Sequence, residues 1–279
     1  MQPPTRPVLR YHGGKWMIAP WIASHLPPHR IYVEPFGGAA SVLMRKPRSY
    51  AEVYNDRWDT VVNVFQVLRD PGSAEELERL LRLTPFARTE FEDISEQGLS
   101  SLGPIERARK TILRSFAGFG SAATNGDYST GFRSNSNRSG TTPAHDWVNY
   151  PDRIQAFTNR LRGVVIENRD ALEVMRQHDT SETVHYVDPP YPQEVRNLQR
   201  GNWAYAHEMT DDHHRILADG LKQLDGMVVL SGYESALYSD LYGDWETVER
   251  TAIADGGRRR VEVLWFNPAT AIHRYGRLL

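Results

Sequence analysis

His185-Tyr186-Val187-Asp188-Pro189-Pro190-Tyr191 carries an apolar strand straight into two prolines and an aromatic ring. Proline lacks the N–H that a central ladder needs and pushes the residue before it towards extended backbone. The strand must therefore stop at Val187, and the stiff loop after it projects Asp188 and Tyr191 together. Other strand-like runs lie at long intervals: Ile31-Tyr32-Val33, Tyr50 to Tyr54, Val164-Val165-Ile166, Met227 to Ser231 and Val261 to Phe266. Between several of them, Val61 to Leu68 and Ile216 to Leu224 repeat apolar residues at three and four spacing, as amphipathic helices do. Strands alternating with helices predict an α/β sheet domain whose ligand chemistry lies outside the carboxyl ends of its strands.

The alternation breaks between about Pro71 and Arg162. Glu75 to Leu83 and Glu106 to Phe116 read as helix, while 118–140 is rich in Gly, Ser, Asn and Thr. The 279 residues suit one large domain with an inserted one. We expect residues 1–70 with 161–279 to form the α/β domain and 71–160 the insertion. The overall charge of −2 announces no polyanion partner, but it conceals a split. Residues 72–103 hold three Arg against seven acids, and residues 105–162 hold nine Lys or Arg against four. The basic half suits a phosphate backbone, and it suits a solvated helical hairpin equally well.

Composition excludes several classes. Apolar residues at 40% and charged residues at 24% are ordinary for a folded chain, which rules out a disordered or fibrous one. Cysteine is absent, so disulfide frameworks, thiolate zinc sites and cysteine nucleophiles are all excluded. Neither a signal peptide nor a membrane span is read, and a cytoplasmic location is the expectation. His213-His214 opens an acid-started helix after Thr210-Asp211-Asp212, where adjacent side chains point apart, so no metal is expected.

The chemistry concentrates in three places. An exocyclic amine on a nucleobase has its lone pair delocalised into the ring and must become more pyramidal before it attacks an electrophile. The Asp188 carboxylate and the Pro189 carbonyl can accept its two N–H bonds, and Tyr191 offers a stacking face worth about 1–3 kcal/mol. The second place is Tyr32-Val33-Glu34-Pro35-Phe36-Gly37-Gly38-Ala39-Ala40-Ser41-Val42, a strand, a small-residue turn and a helix start. Its glycines permit close backbone approach, and a helix N-terminus offers free N–H groups to a carboxylate. Third, Val53-Tyr54-Asn55-Asp56 ends the next strand, where an acid can accept two ribose hydroxyls. Asp56 suits equally well a helix cap before Trp58 to Leu68. The layout binds a nucleoside but lacks the Gly-x-Gly-x-x-Gly of dinucleotide sites. Arg10-Tyr11-His12-Gly13-Gly14-Lys15-Trp16 lacks the spacing of a Walker loop, though Lys15 suits a carboxylate or phosphate.

Together these residues resemble the Dam-type (DPPY) adenine-specific DNA methyltransferases. The aromatic-x-Gly-Gly-Lys motif stands at Tyr11 to Lys15, Glu-Pro-Phe-x-Gly at Glu34 to Gly38, the acid of the second strand at Asp56 and the catalytic tetrapeptide at Asp188 to Tyr191. The resemblance implies a Rossmann-like methyltransferase sheet using S-adenosylmethionine, with an inserted, mostly helical target-recognition domain. It also implies double-stranded DNA as partner, no metal, and a monomer or weak dimer. It assigns catalysis to Asp188, Pro189 and Tyr191, acting on a flipped-out adenine. Tyr11, Lys15, Pro35, Phe36, Gly37, Gly38, Asp56 and Asp188 fall to the cofactor, as does Asp170, which reads equally as the N-cap of a helix to Gln177.

Two features depart from the pattern: Ala40 replaces a final glycine, and 118–140 matches the recognition hairpin only through Arg114, Gly118-Phe119-Gly120 and Gly131-Phe132-Arg133. Arg114, Arg133 and Arg138 are the expected DNA contacts there, with Arg196 and Arg200 in a polar loop that suits closing over the extruded nucleotide and a solvated connector equally well. Arg258-Arg259-Arg260 suits a phosphate contact, but reads first as a charged hairpin turn. The resemblance implies a restriction-modification setting, while the sequence names neither a target site nor a restriction partner. Cytosine's 4-amino group, an RNA amine, a protein glutamine and a non-catalytic DNA-binding module remain the alternatives.

Overall fold

Val, Tyr and Ile fill both faces of the short apolar runs, and a strand buried on both faces needs helices above and below it. A computed structural model, describing residues 3–94, 96–118, 131–134, 141–195, 206–253 and 259–275, shows this arrangement. Its strands are β1 (Ile31–Glu34), β2 (Ala51–Asn55), β3 (Val164–Glu167), β4 (Thr183–Val187), β5 (Met227–Gly232), β6 (Glu246–Ile253) and β7 (Arg259–Phe266). The earlier helices are α1 (Ala19–His25), α2 (Ser41–Arg45), α3 (Asp59–Arg69), α4 (Pro71–Leu83), α5 (Arg88–Glu92), α6 (Glu96–Ser100) and α7 (Pro104–Ala117). The later ones are α8 (Pro143–Val148), α9 (Ile154–Leu161), α10 (Ala171–Gln177), α11 (Asp211–Leu221), α12 (Ala236–Tyr242) and α13 (Pro268–Tyr275).

The strands form one sheet in the order β3-β2-β1-β4-β5-β7-β6, parallel except for β7, which runs antiparallel to both of its neighbours. From β1 the chain proceeds outward through β2 to β3, then returns to place β4 on the other side of β1. The order reverses between β1 and β4, and such a reversal opens a crevice at the carboxyl ends of the two strands. The two decisive motifs leave the sheet at these ends. Strand β6 was not expected from the sequence. It is an edge strand, and its Glu and Arg residues blunt that edge while hiding the apolar alternation. Helix α11 ends at Leu221, short of the expected Leu224, and Ile216 is 58% exposed.

The 71–160 segment does not have a core of its own among the described residues. Leu77, Leu81, Ile112, Phe116, Trp147, Tyr150 and Phe157 join one apolar cluster with Tyr54, Phe65 and Leu68 of β2 and α3. Charges weld the same junction. Glu52 of β2 accepts a forked pair of bonds from Arg160 at 2.6 and 2.9 Å and another from Lys46 at 2.6 Å, all three side chains being buried. Burial alone would raise the Glu52 carboxyl, but the bonds from Arg160 and Lys46 outweigh it and hold the carboxyl below its ordinary value. This stability is present above the unfolded carboxylate range and is lost as pH falls through the folded value. Arg160→Met leaves Glu52 buried with one partner fewer and is expected to cost about 3 kcal/mol in urea unfolding. A loss under about 1 kcal/mol would show that the pair contributes no more than an exposed one.

Candidate active site

The turn after β1 is sewn to the end of β2. Gly37 N donates to Asn55 O at 2.7 Å, Gly38 N to Asp56 Oδ2 at 2.8 Å, and Tyr54 Oη to Gly38 O at 2.9 Å. A Cβ on Gly37 would overlap the Tyr54 ring and lie 2.9 Å from Asn55 O. Gly38 has φ +46°, and a Cβ there would lie 2.8 Å from the Tyr11 ring. Ala40 takes the left-handed conformation too, at φ 52°, ψ 38°, which costs an L-residue about 1 kcal/mol. The N–H groups expected to be free for a ligand at the following helix are partly spoken for, since Leu43 N donates to Glu34 Oε2 at 2.9 Å.

Glu34 itself is buried, and its Oε2 also accepts from Tyr32 Oη at 2.7 Å. Burial pushes its carboxyl up to about 8, against the pull of these two bonds. Because the folded value lies above the unfolded one, the folded state holds an extra proton. Its stabilising effect is full below the unfolded range and is lost as pH rises through about 8. Glu34→Gln keeps the acceptor and cannot ionise. It is expected to raise the Tm of the ligand-free protein by several degrees at pH 9 and little at pH 5; an equal difference at both would contradict a buried neutral acid.

Asp56 does not cap a helix directly. Its Oδ1 accepts from Trp58 N at 2.8 Å, one residue before α3 begins, and its Oδ2 holds the glycine turn. Burial raises its carboxyl, and the backbone bonds oppose that. Asp170 does cap α10, with Oδ1 accepting from Leu172 N and Glu173 N, and its Oδ2 lies 4.0 Å from Arg57. Asn55, which the sequence reading passed over, ties three loops together. Its amide donates to Pro35 O and Arg169 O, and its carbonyl accepts from Arg169 N.

A cleft of about 230 Å³ opens at these strand ends, and Tyr11, Lys15, Pro35, Phe36, Gly37, Gly38, Asp56, Asp170, Asp188 and Pro189 all line it. Trp58, His207 and the exposed Ile216 complete its walls. Asp188 is held from one side. Lys15 Nζ and Ser231 Oγ donate to its Oδ1 at 2.9 and 2.8 Å, and among the described residues no group bonds Oδ2. Lys15 thus already has a carboxylate partner in the protein. Tyr191 does not line the cleft. Its ring is 6% exposed and packs 4.6 Å from Tyr233, and its hydroxyl contacts Lys15 Nζ and lies 3.0 Å from Glu262 Oε1. As it stands, the ring offers little surface to a base.

The expected DNA contacts fare unevenly. Arg114 is buried in α7 and does not present its charge to solvent. Arg133 is partly buried and donates to Phe116 O at 3.3 Å. Arg138, Arg196, Arg200 and Arg258 lie outside the described residues, while Arg259 and Arg260 begin β7 opposite Ile253 and Ala252. Much of the basic half is neutralised internally, by Arg107 with Asp59, Arg109 with Glu106 and Glu90, and Lys110 with Asp93. His213 completes a capping box with Thr210 while His214 is buried beside Tyr238. The described residues contain no group of three or more His, Cys, Asp or Glu able to hold a metal, and no helix long and apolar enough to cross a membrane.

Residues 11–255 match the family model of the D12 class N6 adenine-specific DNA methyltransferases. The chain belongs to this family. The match spans both decisive motifs and the cleft between them, and the mostly parallel seven-stranded sheet fits a methyltransferase. No match was found among curated proteins. As a D12 methyltransferase the protein acts on the 6-amino group of adenine in DNA. The cytosine amine, RNA, glutamine and non-catalytic alternatives are thereby set aside.

Proposed function

We propose that S-adenosylmethionine binds in this cleft and that a flipped-out adenine of duplex DNA meets Asp188 at its edge. The observation that carries the reading is the asymmetry of Asp188, whose Oδ1 is occupied by Lys15 and Ser231 while its Oδ2 has no bond among the described residues. The lining suits the cofactor. Gly37 and Gly38 let the turn pack directly against the Tyr54 and Tyr11 rings and so shape the cleft wall, and Asp56 and Asp170 stand where hydroxyl and amine donors need acceptors. When bound, the cofactor supplies an electrophilic methyl group.

The protein's own part is orientation. Asp188 Oδ2 and the Pro189 carbonyl accept the two amine N–H bonds and aim the lone pair, and positioning of this kind is worth many powers of ten in rate. No covalent nucleophile is required. The amine is paired inside a duplex, so the base must leave the stack to reach the cleft. Stacking on Tyr191, expected from the sequence, requires DNA to expose its ring. Arg133, Arg138, Arg196 and Arg200 are the proposed contacts to DNA, bound by a monomer or weak dimer.

The test is incubation with labelled S-adenosylmethionine and duplex DNA, followed by nucleoside analysis, with 2-aminopurine at the target position reporting extrusion. Label in N6-methyladenine together with a rise in fluorescence is expected. Failure of S-adenosylmethionine to bind would overturn the cofactor assignment, and transfer without a fluorescence rise would overturn flipping.

A further inference from the structure

Glu262 is a buried carboxylate on β7, a strand that supplies none of the motifs read from the sequence. It crosses to the loop after β4, where its Oε1 lies 3.0 Å from Tyr191 Oη and 3.4 Å from Lys15 Nζ. The Lys15 ammonium contacts Gly13 O at 3.1 Å, Asp188 Oδ1 at 2.9 Å and the side formed by Tyr191 and Glu262. Since Lys15 donates to the tyrosine oxygen, the tyrosine proton must go elsewhere. Glu262 Oε1 is the nearer acceptor, with Asp188 Oδ1 at 3.5 Å.

We infer that Glu262 is a positioning residue for methyl transfer, accepting from Lys15 and Tyr191 so that both stay on the Oδ1 side of Asp188 and its Oδ2 remains open. The inference rests on the reading of Asp188 as the amine's acceptor. Without the acceptor, the Tyr191 hydroxyl is drawn towards Asp188 Oδ1, now 3.5 Å away, and Lys15 loses its contact on that side. Loss of an acceptor from a buried donor is costly, and that cost favours a shift of the hydroxyl towards Asp188. The role needs an oxygen acceptor and no charge, which agrees with burial raising this carboxyl against the pull of Lys15.

The closing experiment measures kcat, the KM for each substrate and Tm in Glu262→Leu, Glu262→Gln and Tyr191→Phe, with Asp188→Ala in parallel. Glu262→Leu is expected to lower kcat at least tenfold with both KM values within about twofold, while Glu262→Gln, which keeps an oxygen acceptor, stays within about threefold of the parent. Combining Glu262→Leu with Tyr191→Phe should cost no more than the worse single change, since both remove one contact. Full kcat in Glu262→Leu, a rise in KM alone, or a Gln variant as impaired as Leu would each overturn the inference. Should Glu262→Leu fail to fold, Glu262→Met, which also lacks an oxygen acceptor for Lys15 and Tyr191, is measured in its place, and full kcat in it would overturn the inference. Active Asp188→Ala would instead sink the underlying site assignment, whatever Glu262 does.

Discussion

Asp188→Ala is expected to lower single-turnover methyl transfer on the order of a thousandfold in a protein that still folds. The side chain stands past the end of β4 and belongs to neither apolar cluster, and Ser231, which loses it as an acceptor, keeps Tyr186 as a partner. Its removal leaves Lys15 with Gly13 O, Tyr191 and Glu262, so the ammonium keeps partners and the local loop has no buried orphan charge. What disappears is the proposed acceptor for the amine. Asp188→Asn tests the same point more finely, keeping the shape and the Ser231 contact while losing the charge and placing an N–H where the amine's own N–H must bind. Both variants should melt within a few degrees of the parent by circular dichroism. Undiminished transfer from labelled cofactor in Asp188→Ala would remove Asp188 from the mechanism.

Gly37→Ala is expected to damage the cofactor site and the fold together. The added methyl meets the Tyr54 ring, which is fully buried, packed 4.4 Å from Phe65 and tied by its hydroxyl to Gly38 O. On its other side is the Asn55 carbonyl, itself the acceptor for Gly37 N. Neither neighbour can yield without breaking a bond that shapes the turn. Overpacking of this kind costs about 1–3 kcal/mol, and any relief moves Gly38 and Asp56 out of the cleft. We expect urea unfolding at a lower midpoint and at least tenfold weaker binding of S-adenosylmethionine, read by equilibrium dialysis. Parental affinity and stability would mean that the turn is softer than its contacts indicate. Gly103, where a Cβ meets nothing within 4 Å, is the control: Gly103→Ala should leave cofactor binding unchanged.

Much of this site was legible in the sequence because its chemistry is local. Two prolines end a strand wherever they stand, and small residues after a strand mark a tight turn, so Asp188 and the glycine turn could be placed on strand ends without coordinates. The cofactor candidates gather in one cleft because parallel strands present all their carboxyl ends on one side. Glu262, Ser231 and Asn55 escaped the reading. Each lies on or beside an ordinary strand, and their meaning comes from partners 71, 43 and 114 positions away. Edge strand β6 escaped because charges that protect an edge also erase its pattern.

Segment charge shows the limit most clearly. The sum over residues 105–162 suits a phosphate-facing surface and a solvated hairpin alike, and it does not show how much of the charge is neutralised inside the protein, where Arg109 and Lys110 pair with Glu90 and Asp93 of the acidic half and Arg160 with Glu52 of the sheet. Apolar residues on both sides of the expected boundary near residue 70, Phe65 and Leu68 before it and Leu77 and Ile112 after it, likewise share one cluster. By itself the sequence determined the strand ends, the turn and the acids placed there, since backbone stereochemistry acts between neighbours. Only the tertiary structure decided which charges are spent on one another, which oxygen of Asp188 is held, and that Tyr191 is anchored beneath it, because those outcomes depend on distances between residues far apart in the chain.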